Sequence, residues 1–225
     1  MTATPSYSAE SPASILIVDD HPMMREGLAL QISAQADMVV CGQAEDVRGA
    51  LQLVEAGSPD LTLVDMSLKD SSGIDLITDI ASRFPAVKTL ALSAYEESLY
   101  AERALRAGAM GYLTKQLTQE KIFDAIRTVL SGKRYLSPEM TERLVGQAIN
   151  SKTAVHGSPV ESLTNRELEV FQLIGDGHST GAIAGRLHLS VHTIESHRDK
   201  IKTRLGLKNG TELQRAAIKW VLENG

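Results

Sequence analysis

Polar residues close four of the short apolar runs in this chain, and their types together suit phosphoryl transfer. Asp19 and Asp20 follow Ile15 to Val18, Asp65 follows Leu61 to Val64, Ser93 follows a run ending at Leu92, and Lys115 follows GYLT. Brought together, three carboxylates must share a proton or hold a cation, because neighbouring like charges disfavour ionisation. Hard oxygen donors with room for water suit Mg²⁺ or Mn²⁺. A divalent cation beside a free carboxylate, a hydroxyl and an ammonium neutralises phosphoryl oxygens while the carboxylate attacks phosphorus in line. Asp65, alone at the end of its run, is the candidate nucleophile. Asp20, with Asp19 behind it, is the candidate metal ligand, and His21 beside them reads as structural.

Such convergence needs strands that end in one place. Apolar runs at Ile15 to Val18, Met38 to Cys41, Leu61 to Val64, Val87 to Leu92 and Ala109 to Leu113 alternate with amphipathic segments. Those segments, Pro22 to Ala34, Val47 to Ala56, Gly73 to Phe84, Ser98 to Ala107 and Thr118 to Leu130, return apolar residues every three or four positions. Five βα units in a row predict a five-stranded parallel sheet, doubly wound because crossovers are right-handed. Ligands bind at the carboxyl ends of such strands, where the polar residues stand. The Ser/Pro/Ala-rich lead, 1–13, is expected to be disordered, with the α/β domain spanning 14–131.

This part resembles the receiver domain of two-component response regulators, a flavodoxin-like fold. The family's strand-one acidic pair, phospho-accepting aspartate, Ser/Thr and lysine are matched by Asp19 and Asp20, Asp65, Ser93 and Lys115. The resemblance implies that the backbone carbonyl of Ser67 joins Asp19, Asp20 and Asp65 on Mg²⁺. It further implies that Ser93 moves to bond the phosphoryl group and that Tyr112 swings inward, a two-state switch. Small Ala94 leaves access to the site, and Gly73 stands at the expected place. Lys69 and Gln116 depart from the family's frequent prolines, which puts loop geometry in question and leaves the chemistry alone.

The whole chain of 225 residues has a net charge of −5, which on average speaks against nucleic acid, but the charge is unevenly spread. Residues 14–131 carry 17 acidic and 10 basic side chains, whereas 161–225 carry 8 and 9. Within the latter, Arg198, Lys200, Lys202, Arg204 and Lys208 fall close together with Asp199 as the one acid. A hydrophobic content of 43% supports packed cores. One cysteine, Cys41, excludes an internal disulfide and a multi-cysteine zinc site. With no apolar run of membrane-span length and no signal-like start, a cytoplasmic location without membrane contact is expected.

Residues 132–160 read as a linker with one helix, Pro138 to Ile149, ending at the breaker cluster Gly157 to Pro159. From 161 onward the pattern is all-α. Thr164 with Glu167 forms a capping box that opens a first helix, and Ser179 and Ser190 open two more in a helix-turn-helix pair. Asn209 to Leu222 makes a fourth helix. In the helix after Ser190, Val191, Ile194, Ile201 and Leu205 form the expected core face. The opposite face offers His192, Glu195, Ser196, Asp199, Lys200 and Thr203 to a major groove, with Arg198, Lys202 and Arg204 at phosphate-facing positions. Glu195 suits either a cytosine amino group or a cap or salt bridge.

The stretches LTNRELEVFQLI, the IA of GAIAGRLHLS, and SVHTIESHRDKIKTRLGLKN resemble the LuxR-type helix-turn-helix of NarL/FixJ response regulators. The resemblance makes TIESHRDKI the heart of the recognition helix, adds Thr193 and His197 to the DNA-contacting residues, and makes the last helix the usual dimer contact. Together the two resemblances imply a regulator rather than an enzyme. On that resemblance a sensor histidine kinase is expected to phosphorylate Asp65, and a homodimer is expected to bind double-stranded DNA. Two alternatives stand beside it: a DNA binder with a phosphorylation-independent receiver, and a metal-dependent phosphohydrolase. The latter is disfavoured because Ser67, not an acid, stands two residues after Asp65.

Overall fold

A computed structural model of the chain describes residues 7–68, 72–93, 97–115, 119–150, 159–187 and 189–224. It divides into two compact units, Met1–Gly146 and Gln147–Gly225. In the first unit, strands β1 (Ala13–Val18), β2 (Met38–Ala44), β3 (Leu61–Asp65), β4 (Lys88–Ser93) and β5 (Gly111–Thr114) alternate with helices. The helices are α1 (Pro22–Ser33), α2 (Val47–Gly57), α3 (Gly73–Arg83), α4 (Glu97–Ala107) and α5 (Gln119–Leu130). Every strand pair is parallel and the order is β2-β1-β3-β4-β5. The expected doubly wound sheet is what forms.

Strands β1, β3, β4 and β5 are buried on both faces, as expected of a parallel sheet, while the edge strand β2 exposes alternate residues. On one face Ile15, Ile17, Leu61, Leu63, Leu90, Leu92 and Leu113 pack with Leu28 and Ile32 of α1 and Ile122, Ile126 and Val129 of α5. The remaining three helices pair with the strands from the other side, where Leu76, Ile77 and Ile80 of α3 are wholly buried. Local signals start the helices: Asp46 accepts from Gly49 N–H and Ser72 from Ile74 N–H as N-caps. Beyond α5, Tyr135 continues the unit by bonding across β5, its N–H to Met110 O and its carbonyl from Tyr112 N–H. Helix α6 (Pro138–Asn150) follows, with Met140 buried.

The expected disorder of 1–13 does not hold for residues 7–13. Ala13 begins β1, and the Tyr7 hydroxyl donates to Asp60 Oδ1 at 3.0 Å. Asp60 Oδ2 also accepts from Ser14 N–H and Oγ–H, at 2.8 and 2.7 Å. Burial and then the Asp60 carboxylate push the Tyr7 phenol up to about 12. The polar composition of the lead concealed this because one aromatic ring packed on the core is enough to anchor a short segment.

The second unit is helical: a 3₁₀ turn (Pro159–Ser162), then α7 (Asn165–Gly175), α8 (Thr180–Arg186), α9 (Val191–Leu205) and α10 (Gly210–Asn224). The Thr164/Glu167 capping box forms in full, and Ser179 and Ser190 cap α8 and α9 by accepting from Ala182 and Thr193 N–H. Gly206 ends α9 at φ 66°, a left-handed conformation that favours glycine. Leu168, Phe171, Ile183, Ile194, Ile201 and Leu213 form the core, with Phe171 tilted against Trp220 at 5.9 Å. Val191 does not join it and is 53% exposed, because it opens α9 before the turn that packs.

If residues 7–12 are anchored as described, Tyr7→Phe should lower receiver stability by about 1–2 kcal/mol, the loss of one hydrogen bond to a carboxylate. Thermal or urea unfolding followed by circular dichroism measures this; an unchanged midpoint would restore the disordered lead.

Candidate functional site

The carboxyl ends of β1, β3 and β5 bring together the predicted cluster. β1 and β3 are neighbours in register, Val18 beside Val64, so Asp19 and Asp65 leave the sheet side by side, each about 1% exposed. Lys115 reaches between them, its Nζ 2.7 Å from Asp19 Oδ2 and 2.8 Å from Asp65 Oδ2. Asp65 Oδ1 accepts from Ser67 N–H at 3.1 Å. Burial, with Asp19 nearby, raises the Asp65 carboxyl to about 6 even though Lys115 pulls it down. Burial alone would lower the Lys115 ammonium, but Asp65 and Asp19 outweigh it and the net shift is upward.

Asp19, Asp20, His21 and Asp65 each offer a ligand atom, all within 4.8 Å of one another. Asp20 Oδ1 is buried without a hydrogen bond, and His21 Nδ1 lies 2.8 Å away. A hard cation would supply the missing partner, so the donor set fits a divalent metal. Ser93, at the end of β4, is wholly buried, and its carbonyl accepts from Lys115 N–H at 2.6 Å. Tyr112 is buried in β5, its ring on the inside. Ala94, Lys69 and Gln116 lie outside the described residues.

Two further residues shape this pocket. Arg25 donates from Nη1 to the Asp19 carbonyl at 2.6 Å, fixing the backbone that carries the acidic pair. A Cβ on Gly73 would stand 2.2 Å from the Asp65 carbonyl and 2.8 Å from Met66 Cα, so only glycine lets α3 begin against the loop after the nucleophile. Neither role follows from residue type; both arise from backbone proximity across elements.

In the second unit, His192, Glu195, Ser196, Asp199, Lys200 and Thr203 form the exposed face of α9, as the periodicity predicted, and line one open groove with Arg204. The residues around that face have partners within the unit. Arg204 Nε lies 3.1 Å from the buried Glu167 Oε2, and its Nη1 donates to the Ser162 carbonyl at 2.9 Å, so much of it braces its own unit. His197 is half-buried toward α7; burial, then Lys200 and Arg166, hold its imidazole below the usual range. Thr193 is tied to the Ser190 cap through both its N–H and its hydroxyl. Arg198 approaches Glu195 and Lys202 pairs with Asp199. Sequence periodicity located the face but could not foresee these partners.

Comparison with known proteins matches both halves. Residues 15–127 fit the family described as response regulator receiver domain, and residues 161–217 fit bacterial regulatory proteins of the luxR family. The oxygen regulatory protein NreC of Staphylococcus aureus is 38% identical over 209 residues, 91% of this chain and 96% of that one. A solved LuxR-family two-component response regulator from Aurantimonas sp. SI85-9A1 is 31% identical, with a TM-score of 0.58 over 62% of this chain and all of that one. The response regulator ChrA of a heme-sensing two-component system is 27% identical, with a TM-score of 0.50 over 94% of this chain and 98% of its own.

A carboxyl raised from 3.8 to about 6 destabilises the fold fully above pH 6 and not at all below the unfolded value. Without divalent ions, Asp65→Asn should therefore raise stability near pH 7.5 by about 1–3 kcal/mol, a gain that shrinks as the pH falls toward 4. Urea titrations across that range in EDTA check it; a variant no more stable than wild type at pH 7.5 contradicts the buried-charge account.

Proposed function

The chain belongs to the response regulators that join a receiver domain to a LuxR-family DNA-binding domain, and from that premise we propose that Asp65 is its phospho-acceptor. The observation that carries this is Lys115 Nζ bridging two buried carboxylates, Asp19 and Asp65, beside Asp20, whose buried Oδ1 accepts no hydrogen bond. Asp19, Asp20, Asp65 and the Ser67 carbonyl would hold Mg²⁺ or Mn²⁺, which when bound neutralises phosphoryl charge. An Asp65 oxygen forms the new O–P bond as the N–P bond to a phosphohistidine of the kinase breaks. Lys115 offsets negative charge on the phosphoryl oxygens, and the Ser93 hydroxyl donates to one of them. Ser93 and Tyr112 carry the resulting change out of the pocket as a switch, the phosphoryl group adding charge and acceptors where Lys115 now bridges two acids.

The reading continues in the second unit. α9 enters a major groove with its exposed face, while Lys200, Arg198 and Lys202 reach phosphates or base edges. Arg204, His197 and Thr193 serve mainly to hold that helix in place. Activation pairs two copies through α10, whose exposed Ile218 and Leu222 line a shallow apolar groove with Thr211, Gln214, Arg215 and Lys219. Among the described residues no helix is long and apolar enough to cross a membrane, and the reading places the regulator in the cytoplasm with its kinase and its DNA.

Incubation with Mg²⁺ and a small acyl phosphate should add one phosphoryl group to wild type and none to Asp65→Asn, read by mass spectrometry of the intact protein. Equal labelling of the variant overturns the assignment. Leu222→Glu should label normally yet weaken dimerisation and operator binding of the phosphorylated chain at least tenfold, measured by sedimentation and gel shift; unchanged self-association would remove α10 from the interface.

A further inference from the structure

A carboxylate on a surface that approaches a polyanion is unfavourable unless it meets a donor there, so Glu195 on the exposed face of α9 calls for a reason. The side chain is held from two helices. Its Oε1 accepts from the Thr180 hydroxyl of α8 at 3.0 Å, and its Oε2 lies 3.6 Å from Arg198 Nε, within α9. Yet it remains 53% exposed, and each carboxylate oxygen has lone-pair capacity left. Asp199, one turn on, is paired within its own helix by Lys202 at 2.8 Å. Glu195 is thus an acceptor oriented before DNA arrives, which removes the ordering cost that a loose glutamate would bear.

Resting on the DNA-binding reading above, we infer that Glu195 determines base preference by accepting a hydrogen bond from the exocyclic amino group of a cytosine in the major groove. It stands in the amino-terminal half of α9, the part of a recognition helix that meets base edges. A carboxylate only accepts, so guanine, with O6 and N7, and thymine, with O4, repel it. Adenine offers an amino group but sets the N7 acceptor beside it, whereas cytosine presents its N4 amino group without that neighbour. Thr180 is the positioning residue: it touches no base and acts by fixing the carboxylate.

Selection from random duplex DNA with the full phosphorylated chain tests this, comparing wild type, Glu195→Gln, Glu195→Lys and Thr180→Val. Wild type should enrich cytosine at one position of each half-site. Glu195→Lys should replace it with guanine there, and Glu195→Gln should lose about tenfold of the discrimination, with the rest of the motif unchanged. Thr180→Val should weaken preference at that same position only. A motif unaltered in Glu195→Lys, together with a lowered thermal midpoint, would make Glu195 a brace between α8 and α9 and overturn the inference while leaving the regulator reading intact. If wild type enriched no motif at all, both would fall.

Discussion

Two carboxylates buried to about 1% exposure beside each other are tolerable only because Lys115 lies between them. Moving charge out of water costs several kcal/mol per ion, and one ammonium shared by Asp19 and Asp65 leaves the trio with a net negative charge. Burial first, and then the neighbouring Asp19 charge, keep the Asp65 carboxyl raised in spite of Lys115. The rest of the receiver follows from the need to hold this trio. The order β2-β1-β3-β4-β5 puts the two acids on central strands and the lysine two strands from Asp65, so its side chain must cross the end of β4. Ser93 ends β4 at that crossing, wholly buried, and its carbonyl accepts from Lys115 N–H. A site under-supplied with positive charge is one that a cation or a rearrangement can alter, and a switch needs that bistability.

The second unit handles charge in the opposite manner. Its buried acids, Glu167 and Glu169, are matched by Arg204 and Arg166, while the acids exposed on α9, Glu195 and Asp199, face Arg198 and Lys202. Most of the cations near α9 therefore have partners before any nucleic acid arrives, and Lys200 on the exposed face is the clearest candidate to meet a phosphate undivided. Under the DNA-binding proposal, such a surface would attract DNA only weakly without regard to sequence, and discrimination would come from base edges and from pairing two copies. The near-neutral charge of residues 161–225 is consistent with specificity built on geometry rather than on a strong field.

Much of this was legible in the residues because the signals are local. Strand ends marked by Asp65, Ser93 and Lys115, caps such as Ser190, and the Thr164/Glu167 box depend on neighbours a few positions away, and they form where expected. What escaped depends on partners far along the chain. Tyr7 in a polar lead is anchored by Asp60, more than fifty residues on. His197, which the resemblance put among the DNA contacts, is half-buried, and Arg204, placed by helical phase at a phosphate-facing position, is engaged by Glu167 and by the Ser162 carbonyl.

By itself the sequence determined the two-part architecture, the cluster of Asp19, Asp20, Asp65, Ser93 and Lys115, and the exposed face of α9, because alternation and 3.6-residue periodicity dictate where side chains point relative to an element's own axis. Only the tertiary structure decided which of those side chains are free. Lys115 is bound to two acids, Glu195 is held by Thr180, Arg204 is engaged by Glu167, and Gly73 must remain bare where α3 meets the Asp65 backbone. Periodicity fixes a direction, whereas what a side chain finds in that direction is set by other elements, and no local rule along one segment contains that distance.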